Sequence, residues 1–449
     1  MPHIKARDVE AWRKKMRDDP AEALRRETSK ELYEIFSHKW KELLAQKLLE
    51  KFTTQTYEQL LPHLDTAINA LRWSADELAK IYAKPPTRSI AGIESVKGEV
   101  DPLDPYTAEG ALDMALDQAA RLCFAVRSVA LGPLVAEGSN HIVLDVIPPH
   151  RVYVVPGKID KTRLDLIVIH RSNGDFEAWD AEEKIVVDAH YKTKSIDPNP
   201  YKVVPYMVAL AAHPTLDYWQ TSESFGLRDA AYFAALGMTE HNYLRHWQSF
   251  KQGWYHSDDA VPLTILSDPS SWLHVTGLNA SVGAIDLQAN LTMHLETLLD
   301  ALAAKLGMYG IRPETTRGTL FAQSGFAYSL KLQTQEAVWE KQRMIWELWE
   351  RRLYELSQVV LQVDAQITMP SGKLMIEWAD LGAKSSKQEQ ALLARTKIQD
   401  RVWSVQHAQR LDGLTPEEIE QIEDEILESG VGMAIPAMDE VVIDPGGEG

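Results

Sequence analysis

Apolar positions recur along this chain with three rhythms, and each predicts a different kind of element. From residue 1 to about 83 the helical period dominates. Thr56-Tyr-Glu-Gln59 and Ser74-Ala-Asp-Glu77 match the box whose side chains satisfy free amides at a helix start. Lys84-Pro85-Pro86 stops that run, since proline lacks a donor and restricts the residue before it. Another helix is predicted over about 107–130. From 141 the rhythm shortens to strands: Ile142 to Val146, Arg151 to Val155, Leu164 to His170, Phe176 to Trp179 and Ile185 to Tyr191, separated by proline, glycine and acidic turns. These predict a mostly antiparallel meander of about 70 residues.

Beyond residue 221 the pattern lengthens. Phe225, Tyr232, Leu236, Tyr243, Trp247 and Phe250 recur near multiples of 3.6 and predict one continuous helix over about 222–250. Strands and turns are expected over 254–288, at Trp254-Tyr-His, Val261 to Leu266 and Trp272 to Val275, and a helix again over 289–308. Gly310 to Gly325 has no periodicity and reads as a loop. Leu332, Trp339, Trp346, Leu353 and Val360 are then spaced by seven, with Trp349 and Leu356 on the adjoining seam. That predicts roughly 35 helical residues, about 50 Å long. A strand at Lys373 to Trp378 and further helices, opened by Ser385-Ser-Lys-Gln388 and Thr415-Pro-Glu-Glu418, follow. The acidic, glycine-rich end from Met438 is expected to be disordered.

Composition narrows the function. A chain of 449 residues with 45% hydrophobic residues can fill a sizeable core. Acids outnumber bases 65 to 47, for a net charge of -18, which argues against a protein that grips nucleic acid over its whole surface. Such a balance does not exclude a surface that nucleic acid slides past, since like charge disfavours sticking. Cys123, the single cysteine, sits among apolar residues and reads as a buried thiol. No run reaches the ~18 apolar residues of a membrane span, and the first residues form no signal core, so the chain is expected to stay in a cytoplasm with no membrane partner.

No catalytic motif emerges. Phosphate loop, dinucleotide fingerprint, His-Glu-x-x-His and Gly-x-Ser-x-Gly are all missing from the sequence. His241 and His246 are five apart, which puts them off a common helix face for a metal. His170 and His190 read as core or surface histidines, and Glu182-Glu183 and Asp258-Asp259 as solvated turns. Thirteen tryptophans suggest sugar platforms, but Trp339, Trp346 and Trp349 follow a heptad seam and are expected to pack against a helix of the same subunit or the next. A glycoside hydrolase and a helical scaffold protein with no part in DNA passage remain the competing readings.

The order of these elements resembles that of the portal proteins of tailed bacteriophages, in particular the connector branch of the siphophages. Several phrases are similar to theirs: Ile81-Tyr-Ala-Lys-Pro-Pro86, Val146-Ile-Pro-Pro-His-Arg-Val-Tyr-Val-Val155, Pro205-Tyr-Met-Val with Glu223-Ser224, Gln323-Ser-Gly325, and Glu377-Trp-Ala-Asp-Leu381. Phe326-Ala-Tyr-Ser-Leu330 departs from the family's pattern in detail. The resemblance spans about residues 30–430. It implies a mainly helical α+β portal fold: N-terminal helices and β-rich wing (1–221), first stem helix (222–252), clip (253–288), second stem helix (289–309), tunnel loop (310–325), long wing helix and closing strand (326–382), helical crown (383–437) and acidic tail (438–449). It also implies a non-enzymatic ring of twelve subunits without cofactor or metal. That ring would sit at one capsid vertex of the virion after assembly in the host cytoplasm. Its partners would be double-stranded DNA, the terminase large subunit, the major capsid protein and a head-tail adaptor. Within such a ring Arg312, Thr315, Thr316, Arg317 and Thr319 would touch DNA if the loop enters the channel, the alternative being a surface loop without function. Lys251, Trp254 and His256 are candidates near the lower opening.

Overall fold

The structure is a computed structural model and describes residues 4–93, 101–136, 138–214, 218–219, 224–249, 252–256, 281–285, 291–307 and 325–379. The chain forms two compact units, Met1–Leu320 with Gln333–Leu381, and Phe321–Leu332 with Gly382–Gly449. The elements described belong to the first, apart from the opening turns of the last long helix. The fold is α+β and mainly helical.

Five helices open it: α1 (Val9–Asp18), α2 (Pro20–Phe36), α3 (Lys41–Lys51), α4 (Thr54–Leu60) and α5 (Ala70–Leu78). Asp19 caps α2 by accepting from the Ala21 amide, with Pro20 in the first position, where a missing donor costs nothing. Neither box expected from the sequence acts as a cap. Thr53 begins α4 and accepts from the Thr56 amide at 3.4 Å. Asn69 begins α5 by accepting from the Arg72 amide at 2.9 Å, while Ser74 is buried in that helix and donates to the Ala70 carbonyl at 2.6 Å. The motif recurs wherever a small hydroxyl residue precedes Glu or Gln by three, so position relative to the chain reversal decides.

After β1 (Thr87–Ile90) and the short α6 (Asp104–Thr107), α7 (Ala111–Val126) carries Cys123. That thiol is buried, its sulfur 3.6 Å from the Ala209 carbonyl, and burial pushes its pKa up to about 12. The helix ends at Val126, short of the expected 130. Arg127 takes a left-handed φ of 69°, and β2 (Ser128–Val135) starts at once. This strand lies between β3 (Ile142–Ile147) and β9 (Met207–Leu210), pairing Ala130 with Ile147 and Ser128 with Leu210. At Gly132 a Cβ would stand 2.1 Å from the Tyr206 ring, so glycine lets that aromatic lie across the strand.

A separate antiparallel meander contains β4 (Val152–Pro156), β5 (Leu164–His170), β6 (Phe176–Trp179), β7 (Glu183–Val187) and β8 (Thr193–Pro198) in chain order. In β5, Ile167 and Ile169 join the main core, while Leu166 and Val168 join a second cluster with Trp12 and Met16 of α1. Covered on both faces, this strand needs the unbroken apolar run seen in its sequence.

Two long helices follow, α8 (Phe225–Ser249) and α9 (Leu291–Gly307), flanking the antiparallel pair β10 (Gln252–His256) and β11 (Ser281–Ile285). Then comes α10 (Gly325–Val360), of 36 residues, which passes through a π turn at Leu361–Ala365 before β12 (Leu374–Glu377) pairs with β1. Trp346, Trp349, Leu353, Leu356 and Val360 are buried in the main core. Trp349 donates to the Leu210 carbonyl at 2.8 Å, and Trp346 meets the edge of Tyr82 at 5.8 Å.

One buried charge fixes the rotation of α10. Glu350 is fully buried and accepts from the Tyr82 hydroxyl at 2.7 Å and from Arg88 of β1. Arg88 reaches on to Asp113 of α7 at 2.6 Å. Burial disfavours its charge, but Glu350 and Asp113 together outweigh that and hold the guanidinium above its ordinary pKa.

Candidate functional site

Within the described chain α8 and α9 run side by side as one long excursion that begins and ends in the main core. Lys305 lies 5.3 Å over the Phe233 ring, Leu298 presses on Gly237, and the His294 ring lies 5.8 Å from that of His241. Beyond them Gln252 pairs with Ile285 and His256 with Ser281. The partners advance in opposite directions throughout, so helices and strands form one antiparallel hairpin. Its helical arms are about 37 and 25 Å long.

Close approach of the arms is a sequence property. A Cβ on Gly237 would stand 2.4 Å from the Leu298 Cδ1, and the α8 face toward the body is built on Ala230, Ala231, Ala234 and Ala235, all with 0% exposure. The aromatic stripe seen in the sequence is therefore only part of the buried surface: Tyr232 is buried, but Phe225, Leu236 and Tyr243 are only partly so. Polar contacts brace α8 against the first helices. Tyr232 donates to Glu31 at 2.8 Å, Lys51 pairs with Glu240 at 2.8 Å, and Asn242 donates to Asp65 at 3.0 Å.

Histidines occupy the far half of this seam. His241 of α8 faces His294 of α9 with rings only 16° from parallel, and on the side of α8 toward the first helices the His63 ring lies tilted, 4.9 Å from that of His246. Burial is the main cause that lowers the pKa of His63 and of His241, followed by the neighbouring imidazole, with Arg245 adding to the effect on His241. The sequence spacing that separates His241 from His246 is the signal for these pairs, since each meets a different neighbour. Among the described residues no three His, Cys, Asp or Glu side chains are grouped to hold a metal, and no helix is long and apolar enough to cross a membrane.

The remaining residues singled out by sequence are scattered. Arg312, Thr315, Thr316, Arg317, Thr319, Lys251 and Asp258-Asp259 lie outside the described residues. Trp254 and His256 occupy β10, opposite Gly283 and Ser281. Trp339 is 3% exposed and donates to the Glu77 carbonyl at 3.4 Å, so with Trp346 and Trp349 it lies against elements of its own chain. His170 stacks on Phe176 at 4.6 Å and His190 is exposed. Glu182 is exposed in a turn, as expected, and pairs with Lys5 at 2.8 Å, whereas Glu183 opens β7 half-buried and pairs with Arg7 at 2.9 Å.

No family model matches the chain, and no curated protein does. Solved structures give weak likenesses. A chain in the virion of a native gene transfer agent particle is 14% identical at a TM-score of 0.39, over 78% of this chain and 91% of that one. A chain in the neck of an empty gene transfer agent particle, computed with C6 symmetry, is 13% identical at 0.42, over 77% and 90%. A third, in the neck of the native particle with C12 symmetry, is 12% identical at 0.38, over 78% and 91%.

Proposed function

We propose that this chain is a portal subunit of a tailed-phage-like virion: a non-enzymatic protein whose copies, twelve to a ring, surround a channel for double-stranded DNA. The observation that carries the reading is the antiparallel helix, strand-pair, helix excursion made by α8, β10, β11 and α9, followed in the chain by the long helix α10. Two extended arms joined by a small strand pair form an element that can stand beside copies of itself around an axis. In that reading α8 and α9 are the stem, β10 and β11 belong to the clip, and the segment holding Arg312 and Arg317 is the tunnel loop. The net charge of -18 supports it, because a channel wall must release a polyanion as readily as it admits one. The ring would dock the terminase large subunit during packaging and the head-tail adaptor afterwards, seated among major capsid protein at one vertex.

Electron micrographs of the purified protein test this directly. Funnel-shaped rings with an axial hole wide enough for a DNA duplex are expected. Monomers at every salt and protein concentration in mass photometry would overturn the reading. Given rings, Arg312→Ala with Arg317→Ala is expected to slow DNA packaging, and an unchanged rate would remove the loop contacts.

A further inference from the structure

On a chain of net charge -18, one patch gathers three cations, two of which, Arg26 and Arg151, form no ion pair with a carboxylate among the described residues. Arg26, Lys30 and Tyr33 fall at i, i+4 and i+7 of α2 and share a face. That face meets the turn Pro149–Arg151 before β4: Arg26 Nε donates to the His150 carbonyl at 3.2 Å, and the His150 ring lies 5.0 Å from Tyr33. Pairing of β4 with β5 brings His170 alongside Arg151. Nearby carboxylates are already committed. Glu22 is bound by the buried Arg25, and Glu34 lies 3.6 Å from Lys30. Glu27 and Glu34 sit roughly a quarter turn around α2 from Arg26. Among the described residues neither Arg26 nor Arg151 forms an ion pair, although Glu22, held by Arg25, lies near enough to favour the Arg26 charge.

The histidines register this imbalance. His150 Nδ1 is buried without a hydrogen-bond partner among the described residues. Burial first, and then Arg151, Arg26, Lys30 and Arg25, push the His150 pKa down to about 4. His170 is lowered by burial and then by Arg26 and Arg151. A bound anion would relieve the mutual repulsion and raise both.

We propose that Arg26, Lys30 and Arg151 form a phosphate-binding patch that holds the backbone of a nucleic acid, with His150 as a flanking donor. Guanidinium forks match phosphate oxygens in two-point contacts, and several cations spread over a helix and the adjoining turn suit a ligand with regularly repeated charge. The patch lies on α2, the Pro149–Arg151 turn and β5, not on the α8 to α9 hairpin, and its action requires no ring.

The test is anisotropy of a labelled 30-base-pair DNA duplex titrated with the full-length protein at several salt concentrations. Lys30→Ala with Arg151→Ala is expected to weaken binding at least tenfold at low salt. It should also lower the slope of log affinity against log salt by about two, one per lost phosphate contact. Arg26→Lys, which keeps the charge and loses the fork, should leave the salt slope unchanged and weaken binding less than the double alanine variant. In the wild type the duplex is expected to raise the His150 pKa seen by NMR, which a purely structural arginine cluster would not do. Unchanged duplex affinity and slope in Lys30→Glu with Arg151→Glu would overturn the proposal. So would displacement of the duplex by submillimolar inorganic phosphate, which assigns the patch to free phosphate, or tighter binding of polyglutamate, which assigns it to an acidic protein. Micrographs of the same variants keep the outcome separate from the ring reading.

Discussion

Two long helices of this chain are held by opposite means. Through its second half α10 sinks into the core: Trp346, Trp349, Leu353, Leu356 and Val360 are each at most 2% exposed, and the buried Glu350 locks onto Tyr82 and Arg88. The α8 to α9 seam rests instead on a glycine, a few leucines and one histidine pair. On α9 the buried leucines are Leu298 near the middle and Leu302 and Leu306 in the half farther from β11, whereas Met293 near the strands is 62% exposed. A helix packed like α10 is complete within one subunit. An arm packed like α9 still has apolar surface to cover, and in the ring reading neighbouring copies cover it.

Removing Glu350 should therefore cost the most. Glu350→Ala leaves the Arg88 guanidinium buried with one carboxylate fewer and the Tyr82 hydroxyl without its acceptor. A loss of about 3–5 kcal/mol is expected, as for other broken buried pairs. Urea unfolding followed by far-UV circular dichroism checks it, and a loss below about 1 kcal/mol would show that the network does not fix α10.

At the hairpin the contrast predicts a smaller, local effect. Gly237→Val puts new atoms into Leu298, an overpacking cost of about 1–3 kcal/mol. Hydrogen exchange should quicken over 233–246 and 291–305 and stay unchanged over 346–360. Adding Leu298→Ala makes room for the valine, so recovery of protection in the double variant identifies the seam as the cause.

This division also explains what could be read in the sequence. Long periodic helices and edge-to-edge strands such as Leu164–His170 and Phe176–Trp179 announce themselves, because one local rhythm runs through each. β2 does not: Ser128-Val-Ala-Leu continues the apolar character of α7, and only the left-handed backbone at Arg127 separates them. Its Gly132 and Pro133 suggest a turn, yet the glycine is needed to admit Tyr206, 74 residues later in the chain. The capping boxes at Thr56 and Ser74 misplace two helix starts for the same reason: the four-residue pattern carries no knowledge of where the chain turns. The hairpin arms were legible. Their contact was not, since Gly237 against Leu298 and His241 against His294 join residues with no common rhythm. The cationic patch joins α2 to a turn more than a hundred residues away and was equally hidden.

Acid should separate the two helices further. His63 and His241 have folded pKa values below that of an exposed imidazole, so folding favours their neutral forms. Stability is then held above the ordinary histidine pKa, near 6.5, and falls as pH drops below it, because the unfolded chain takes up the proton first. Between pH 7.5 and 5.5 the hairpin amides should gain exchange rate, corrected for intrinsic chemistry, while those of α10 from 346 to 360 do not. His63→Asn with His241→Asn should remove most of that pH dependence. If the two regions respond alike, the histidine pairs do not govern the seam.

The smallest effect is expected from the ion pair that ties α3 to the middle of α8. Lys51 and Glu240 meet at 2.8 Å, closely enough to look like an anchor, but the lysine side chain is 52% exposed and water screens the attraction. Lys51→Ala should cost less than about 1 kcal/mol, and the difference should shrink further in high salt. Arg88 and Glu350 make a contact of similar chemistry where water is excluded, so the same kind of truncation should cost several times more there. Equal losses at the two sites would mean that burial is not what sets these helices apart.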